Sequence, residues 1–256
     1  MTVIFCNYNY DKIDRLYLGI SFMASEHIYT QFDDDMESIR SKVVEMGTIV
    51  EEQLAEAVQS LIEADVKLAK KVINRDEDVN SLELEIDEEC SLLISKRSPV
   101  AVDLRNVLMI MKIVSDLERI GDESSKIANA TIRIIEEDLM NKPKFKTITS
   151  MLNSVQKMLT QSLNSFARLD TAEIIDILEK DKEVDEEYRA HMRELLTYML
   201  EDPRTISISL ELMFVTKSLE RIGDHTKNIS QSVMYTVKGT DVRHSSIKEI
   251  KAELKH

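Results

Sequence analysis

The chain has 256 residues, among them only 5 glycines and 3 prolines and no tryptophan, so long uninterrupted helices are favoured over a strand-rich fold. The 33 Lys and Arg against 47 Asp and Glu give a formal net charge of −14, which disfavours general binding to nucleic acid or an anionic membrane. No apolar run reaches the roughly 18 residues that a membrane-spanning helix needs. Metal ions and basic protein surfaces are the expected partners.

Residues 1–30 are predicted to be an N-terminal extension outside the folded repeats. The first 22 residues lack the basic, apolar and small-residue segments, in that order, of a signal peptide. These 22 residues have two interpretations. They are either a poorly ordered arm of the native protein, or an extension that results from placing the translation start too far upstream, with Met23 as the true first residue. The second is favoured. Cys6 and Cys90 are far apart in the sequence and fit no CxxC pattern, so neither a zinc site nor a disulfide framework is indicated. Both are interpreted as reduced thiols of a cytoplasmic protein.

The chain contains an internal duplication. With a shift of 105, residues 43–95 align with residues 148–200 without a gap. With a shift of 102, residues 117–122 and 219–224 share the sequence Leu-Glu-Arg-Ile-Gly-Asp. A six-residue identity inside a long collinear similarity indicates two tandem copies of one structural unit.

Each copy is predicted to form three helices. In the first copy, apolar residues recur at steps of three and four over residues 36–61, 68–93 and 107–134, and the second copy repeats this pattern from about residue 144 to residue 238. The predicted fold is all-α: two tandem three-helix bundles related by a pseudo-twofold internal repeat. Its predicted parts are a first repeat at 31–141, a second repeat at 142–245 and a C-terminal tail at 246–256.

Polar residues and helix breakers mark the predicted helix ends. Asp65 is expected to cap the second helix. Ser98 and Pro99 are expected to open the third helix as a cap and a first-turn proline. Residues 141–143, Asn-Lys-Pro, are the expected boundary between the repeats, and Gly239 can end the last helix in a left-handed conformation.

Carboxylates follow a helical spacing in the first repeat. Glu118 and Asp122 are four residues apart and therefore lie on one face of the third helix. A matching stripe on the second helix, with one residue near the start of the third, consists of Asp76, Asn80, Glu83, Asp87 and Asp103. Because these stripes can face each other in a bundle, they predict a site of hard oxygen donors, which suits Fe, Mn, Mg or Ca better than zinc.

The second repeat keeps part of this set. The candidates that remain are Asp181, Asp185, Glu220 and Asp224, with His225 next to the last of them. Three equivalents are lost, because Tyr188, Met192 and Ser207 stand where the first repeat has Glu83, Asp87 and Asp103. Metal binding is therefore expected to be weaker in the second repeat.

The repeated motif also contains a glycine and an arginine, and the arginine allows an alternative to metal binding. Gly121 and Gly223 occupy one equivalent mid-helix position, where glycine costs about 1 kcal/mol relative to alanine, so a close helix approach is expected there. Arg119 and Arg221 could instead pair with the acidic stripes and form a buried salt-bridge network without metal.

A di-iron enzyme is disfavoured, since it needs two inward Glu-x-x-His pairs and the only such spacing is Glu253 to His256. No catalysis is expected.

With its twin Leu-Glu-Arg-Ile-Gly-Asp motifs, the chain resembles the PhoU family over about residues 30–245. The resemblance also includes Met46-Gly47, Asp-Glu-Asp-Val-Asn at 76–80, the segment from Pro99 through Asp103-Leu104-Arg105, and Gly-Thr-Asp-Val-Arg-His at 239–244. It implies paired three-helix bundles that often dimerise and bind multinuclear iron or other metals, zinc among them. By the family pattern, the ligands would be Asn80, Asp87, Asp103, Glu118 and Asp122 in the first cluster, and Asp181, Asp185, Glu220 and Asp224 in the second.

The resemblance further implies a regulator rather than an enzyme. Family members restrain the Pst phosphate transporter and hold the PhoR sensor kinase in its repressing state when phosphate is plentiful. The implied partners are therefore the Pst ATPase subunit, a PhoR-type histidine kinase and a second copy of the chain, with membrane contact only through partners. A metal-storage bundle without signalling partners is the alternative.

Overall fold

A computed structural model describes residues 11–139, 145–243 and 245–253, and it describes side chains from residue 31 onward. Helices account for all the regular secondary structure of these ranges, so the all-α prediction is confirmed. The elements are α1 (Asp11–Glu63), α2 (Val66–Arg97), α3 (Val102–Glu136), α4 (Lys146–Arg168), α5 (Ile174–Glu201), a 3-10 turn (Pro203–Thr205), α6 (Ile206–Lys238) and α7 (Ile247–Glu253). Within the described part of the chain, no helix is both long and apolar enough to cross a membrane.

The helices form two bundles, as predicted. Helices α1, α2 and α3 pack on one another, and so do α4, α5 and α6. The bundles also meet each other, α3 against α6 and α1 against α4. Buried apolar side chains from both repeats belong to one cluster, which extends from Phe32 to Val233. The two repeats therefore share a single elongated core.

Helices α3 and α6 run antiparallel and bring the twin motifs side by side. Arg105, near the start of α3, donates to the backbone oxygen of Thr236, near the end of α6, at 3.3 Å. Arg133, near the end of α3, pairs with Glu211, near the start of α6, at 2.8 Å. The two copies of Leu-Glu-Arg-Ile-Gly-Asp lie midway between these contacts. The pseudo-twofold axis of the repeat therefore passes close to both motifs.

Two of the predicted helix ends are confirmed and one is wrong. The carboxylate of Asp65 accepts hydrogen bonds from the backbone N–H groups of Lys67 and Leu68, at 2.8 and 3.1 Å, and Gly239 ends α6 with a φ of 78°. Ser98, however, ends α2 instead of starting α3: it has a φ of 47°, and its N–H donates to the oxygen of Ile94. Pro99 cannot continue α2, because it has no N–H to donate. Helix α3 begins only at Val102.

Helical structure extends beyond both ends of the predicted repeats. Helix α1 is continuous from Asp11 to Glu63, so no helix end marks the predicted boundary after residue 30. Helix α7 falls within the predicted tail, yet its Ile250 is buried with Leu178, Met234 and Val242. Residues 1–10, with Cys6, and the predicted boundary at 141–143 lie outside the described residues. Burial raises the pKa of the other thiol, Cys90, to about 12.

Candidate functional site

The first carboxylate set lies where α2 packs on α3. Glu83 and Asp87 lie one turn apart on α2, and Glu118 and Asp122 lie one turn apart on α3. Burial raises the pKa of Glu83, and the negative charges of Glu118, Asp87 and Asp122 raise it further. Burial and the charge of Asp122 likewise raise the pKa of Glu118. The fold thus brings these four carboxylates close enough to repel one another.

Two further first-repeat candidates, Asn80 and Asp103, lie differently. Asn80 is exposed on α2, one turn before the four carboxylates begin. Asp103 lies on the same continuous helix as Glu118 but fifteen residues earlier, which corresponds to a rise of about 22 Å. Asp103 is therefore not brought together with Glu118 and Asp122. Sequence spacing had suggested that Asp103 completes the set, but the straight path of α3 separates them.

A buried glutamine and an aspartate adjoin this set. The Gln53 side chain is fully buried, and its amide nitrogen donates to Asp76 Oδ1 at 3.1 Å, to Ser125 Oγ at 3.2 Å and to the Val72 oxygen at 3.3 Å. The negative charge of Asp76 also contributes to the raised pKa of Glu118. Asp76 thus lies close to Glu118. This agrees with the predicted stripe on the second helix, of which Asp76 is the first residue.

The second set is built differently, around a lysine. Lys227 Nζ lies 2.8 Å from Asp181 Oδ2 and 2.8 Å from Asp224 Oδ1, so it bridges α5 and α6. Burial raises the pKa of Asp181, and the hydrogen bond from Lys227 opposes that rise. Glu220 pairs with Lys217 at 2.5 Å, and Asp185 lies 3.9 Å from Arg189. Neither lysine was predicted from the sequence, although each lies three residues from a candidate on α6.

The histidine beside the second set faces away from it. His225 Nδ1 lies 2.9 Å from Asp116 Oδ1 on α3, and the side-chain amide of Asn228 donates to the same oxygen at 3.3 Å. These contacts join α6 to α3 across the centre of the molecule. His225 therefore links the two repeats and does not belong to the second carboxylate set.

The arginines of the twin motifs do not form the buried network considered above. The Arg119 side chain is 56% exposed and lies 3.4 Å from Glu118 and 3.9 Å from Asp122 on its own helix. Arg221 pairs with the buried Glu123 of α3 at 3.2 Å, rather than with the second acidic set. In the second repeat, Lys227 makes the contacts that had been considered for Arg221.

The two sets differ in how well they suit a metal ion. No group of three or more His, Cys, Asp or Glu side chains is already arranged as metal ligands in the described parts of the chain. The first set nevertheless has the right chemistry, because it gathers hard oxygen donors, two of them with raised pKa values, and its neighbouring cations Arg119 and Lys126 have largely exposed side chains. The second set does not fit as it stands, because the ammonium group of Lys227 lies between two of its carboxylates.

This fold, with an acidic motif repeated at its centre, defines a class of tandem three-helix-bundle proteins. A model of the PhoU domain matches residues 43–131 and again residues 148–233. The chain therefore belongs to the PhoU family, and the double match confirms the internal duplication.

Relatives and solved structures agree with this membership. The chain is 44% identical over 233 residues to the phosphate-specific transport system accessory protein PhoU homolog of Pseudomonas aeruginosa, covering 91% of this chain and 96% of the relative. It is 42% identical over 224 residues to the PhoU protein of Escherichia coli, covering 88% and 92%.

Two crystal structures have the same fold. That of PhoU from Pseudomonas aeruginosa superposes with a TM-score of 0.79 at 44% identity, covering 82% of this chain and 100% of the other. That of the phosphate transport system regulatory protein PhoU from Streptococcus pneumoniae gives a TM-score of 0.75 at 27% identity, covering 82% and 99%. The similarity thus extends over both bundles.

Proposed function

We propose that this protein is a non-catalytic regulator of phosphate uptake that works in the cytoplasm with a phosphate transport system. The observation that carries this proposal is the similarity of both repeats, at 42–44% identity, to relatives named as accessory proteins of phosphate-specific transport. In finer detail, the protein acts as an adaptor between the Pst ATPase subunit and a PhoR-type histidine kinase. It works as a homodimer and reaches the membrane only through these partners.

Metal binding at the first carboxylate set is the second part of the proposal. Glu83, Asp87, Glu118 and Asp122 are gathered at the α2–α3 contact, and burial and repulsion raise the pKa values of Glu83 and Glu118. A divalent cation stabilises the ionised carboxylates and so couples its binding to the stability of the bundle. Fe, Mn and Mg match these oxygen donors, with Asn80 available one turn away.

Ligand count favours the first set over the second. The second set retains Asp181, Asp185, Glu220 and Asp224, but Lys227 already lies between Asp181 and Asp224. We therefore propose weaker metal binding there, and a structural and regulatory rather than catalytic role for the bound metal.

Matched double variants test this assignment. Glu118→Ala with Asp122→Ala should lose most of the bound metal, whereas Glu220→Ala with Asp224→Ala should lose less. Metal content is measured by elemental analysis of protein purified without chelators, and folding is checked by circular dichroism. Unchanged metal content in both folded variants would refute the site.

The regulatory role has its own readout. If metal at the first set supports phosphate control, cells with the Glu118→Ala and Asp122→Ala variant should express phosphate-starvation genes in phosphate-rich medium. The full-length protein should also co-purify with membrane fractions that contain the transporter. A protein that loads many metal atoms per chain, ignores those membranes and leaves gene expression unchanged would instead be a storage bundle.

A further inference from the structure

The second carboxylate set carries its own positive charges. Lys227 Nζ lies 2.8 Å from one carboxylate oxygen of Asp181 and 2.8 Å from one of Asp224. The Lys227 side chain is only 26% exposed and that of Asp181 only 9%, so this contact is shielded from solvent. An ammonium group thus bridges carboxylates of two different helices, as a bound metal ion would.

A second lysine, Lys217, lies about three turns before Lys227 on α6, where it pairs with a carboxylate of its own helix and contacts α5 through an aromatic ring. Lys217 Nζ lies 2.5 Å from Glu220 and 5.2 Å from the centre of the Tyr188 ring. Tyr188 is the residue that replaces Glu83 in the repeat alignment. Where the first repeat has a carboxylate, the second therefore presents an aromatic face that attracts the lysine.

The repeat alignment shows that both lysines are specific to the second copy. With the shift of 102 that superposes the twin motifs, Lys217 aligns with Ser115 and Lys227 with Ser125. The hydrogen-bond donor to the first aspartate of each stripe also differs, as the shift of 105 shows. In the first repeat, Asp76 accepts from the neutral amide of Gln53, whereas the residue aligned with Gln53 is Met158, and Asp181 accepts from Lys227 instead.

We propose that Lys217 and Lys227 are built-in cations that hold the second carboxylate set together and exclude a divalent metal ion until Lys227 is displaced. This inference takes the proposed metal binding of the first set as its reference. The two repeats then use one acidic motif in two ways: the first recruits a metal ion, and the second is held by lysine ammonium groups as long as Lys227 stays in place.

The experiment restores the first-repeat residues in a protein whose first set has been removed. Into the full chain with Glu118→Ala and Asp122→Ala, Lys217→Ser and Lys227→Ser are introduced, and Mn²⁺ binding is measured by titration calorimetry. We expect about one added equivalent of bound Mn²⁺ per chain, because the freed carboxylates need a new cation. Further replacement of Asp181 and Asp224 by Asn should abolish it. Lys227→Arg alone, which keeps the charge, should add no site.

Metal content and Mn²⁺ titration together distinguish the built-in cations from the metal site of the first set. If the first-set variant loses metal but the two serines restore none, the built-in cations are refuted while metal binding by the first set stands. If the first-set variant loses no metal, the proposed site fails, yet a Mn²⁺ site that appears with the serines still supports the inference. If the serine variant is too unstable for calorimetry, thermal unfolding with and without Mn²⁺ gives a second measurement. A melting temperature that Mn²⁺ raises in the serine variant but not in the lysine-bearing parent supports the inference. No rise in the serine variant refutes it.

Discussion

At the scale of single residues, Glu118 and Glu83 carry the electrostatic cost of the first carboxylate set. Burial raises the pKa of each above its ordinary value of 4.5, and neighbouring carboxylates raise it further. A raised pKa in the folded state means that folding favours the protonated form. The resulting stabilisation is complete below pH 4.5 and is lost as the pH rises through the folded-state value.

Glu118→Gln should therefore stabilise the metal-free protein at pH 7 and have no such effect at pH 4. The substitution removes a half-buried negative charge and keeps the size of the side chain. Thermal unfolding with a chelator at the two pH values measures it, with the exposed Glu77→Gln as the matched control. A lower melting temperature of the Glu118→Gln variant at pH 7 would show that ionised Glu118 is stabilised, for example by Arg119, and would contradict the prediction.

At the scale of helices, the equivalent glycines of the twin motifs have different surroundings. A Cβ on Gly121 would lie 3.2 Å from Gln53 Oε1 and 3.3 Å from Asp76 Oδ1, closer than most such contacts. A Cβ on Gly223 would meet nothing nearer than Val184, at 3.6 Å, which is an ordinary contact. The predicted close approach is confirmed at Gly121 and wrong at Gly223. The difference arises because the polar Gln53 side chain reaches α3, whereas Met158 occupies its place in the second repeat.

Alanine at these two positions should consequently have different effects. Gly223→Ala should raise the free energy of unfolding by up to about 1 kcal/mol, because alanine favours the helix and finds room. Gly121→Ala should be destabilising relative to Gly223→Ala, since the buried Gln53 is held by three hydrogen bonds and cannot easily move. Urea unfolding of both variants measures the difference. Equal stabilisation by the two alanines would contradict this prediction, because it would show that the Gln53 and Asp76 side chains move to make room for the new Cβ at Gly121.

At the scale of the whole molecule, the two bundles depend on each other. Leu117 and Ile120 of α3 and Leu219 and Ile222 of α6 are all buried in the shared core. Arg133 with Glu211 and Asp116 with His225 add polar contacts along the α3–α6 contact. Separating the repeats would expose these helix faces to water, and apolar surface stabilises only when it is buried.

The full chain should accordingly unfold in one cooperative transition, whereas neither half should be stable alone. Residues 1–139 and residues 145–256, expressed separately, should show reduced helicity, aggregate, or melt well below the full chain. Circular dichroism and tyrosine fluorescence during urea unfolding test cooperativity through the coincidence of their transitions. An isolated half as stable as the full chain would show that the shared core adds little.

The sequence alone determined the helical fold, the duplication and most of the first acidic set. Few breakers, apolar residues at steps of three and four, and a repeated six-residue motif are local or periodic signals, so they can be read without coordinates. The cap by Asp65 and the stop at Gly239 belong to the same kind of signal. The prediction that Ser98 and Pro99 open α3 was wrong, because a serine before a proline is compatible with the end of one helix as well as the start of the next.

Tertiary structure decided which side chains share a site and which charges are balanced. The distance of Asp103 from Glu118 follows from the unbroken course of α3, and the contact of His225 with Asp116 follows from the antiparallel α3–α6 pair. The position of Lys227 between Asp181 and Asp224 depends on how α5 packs against α6. Spacing along one helix shows that residues lie on one face, but the charge that meets that face comes from packing and from side-chain rotamers. Two identical motifs can for this reason have different partners in one molecule.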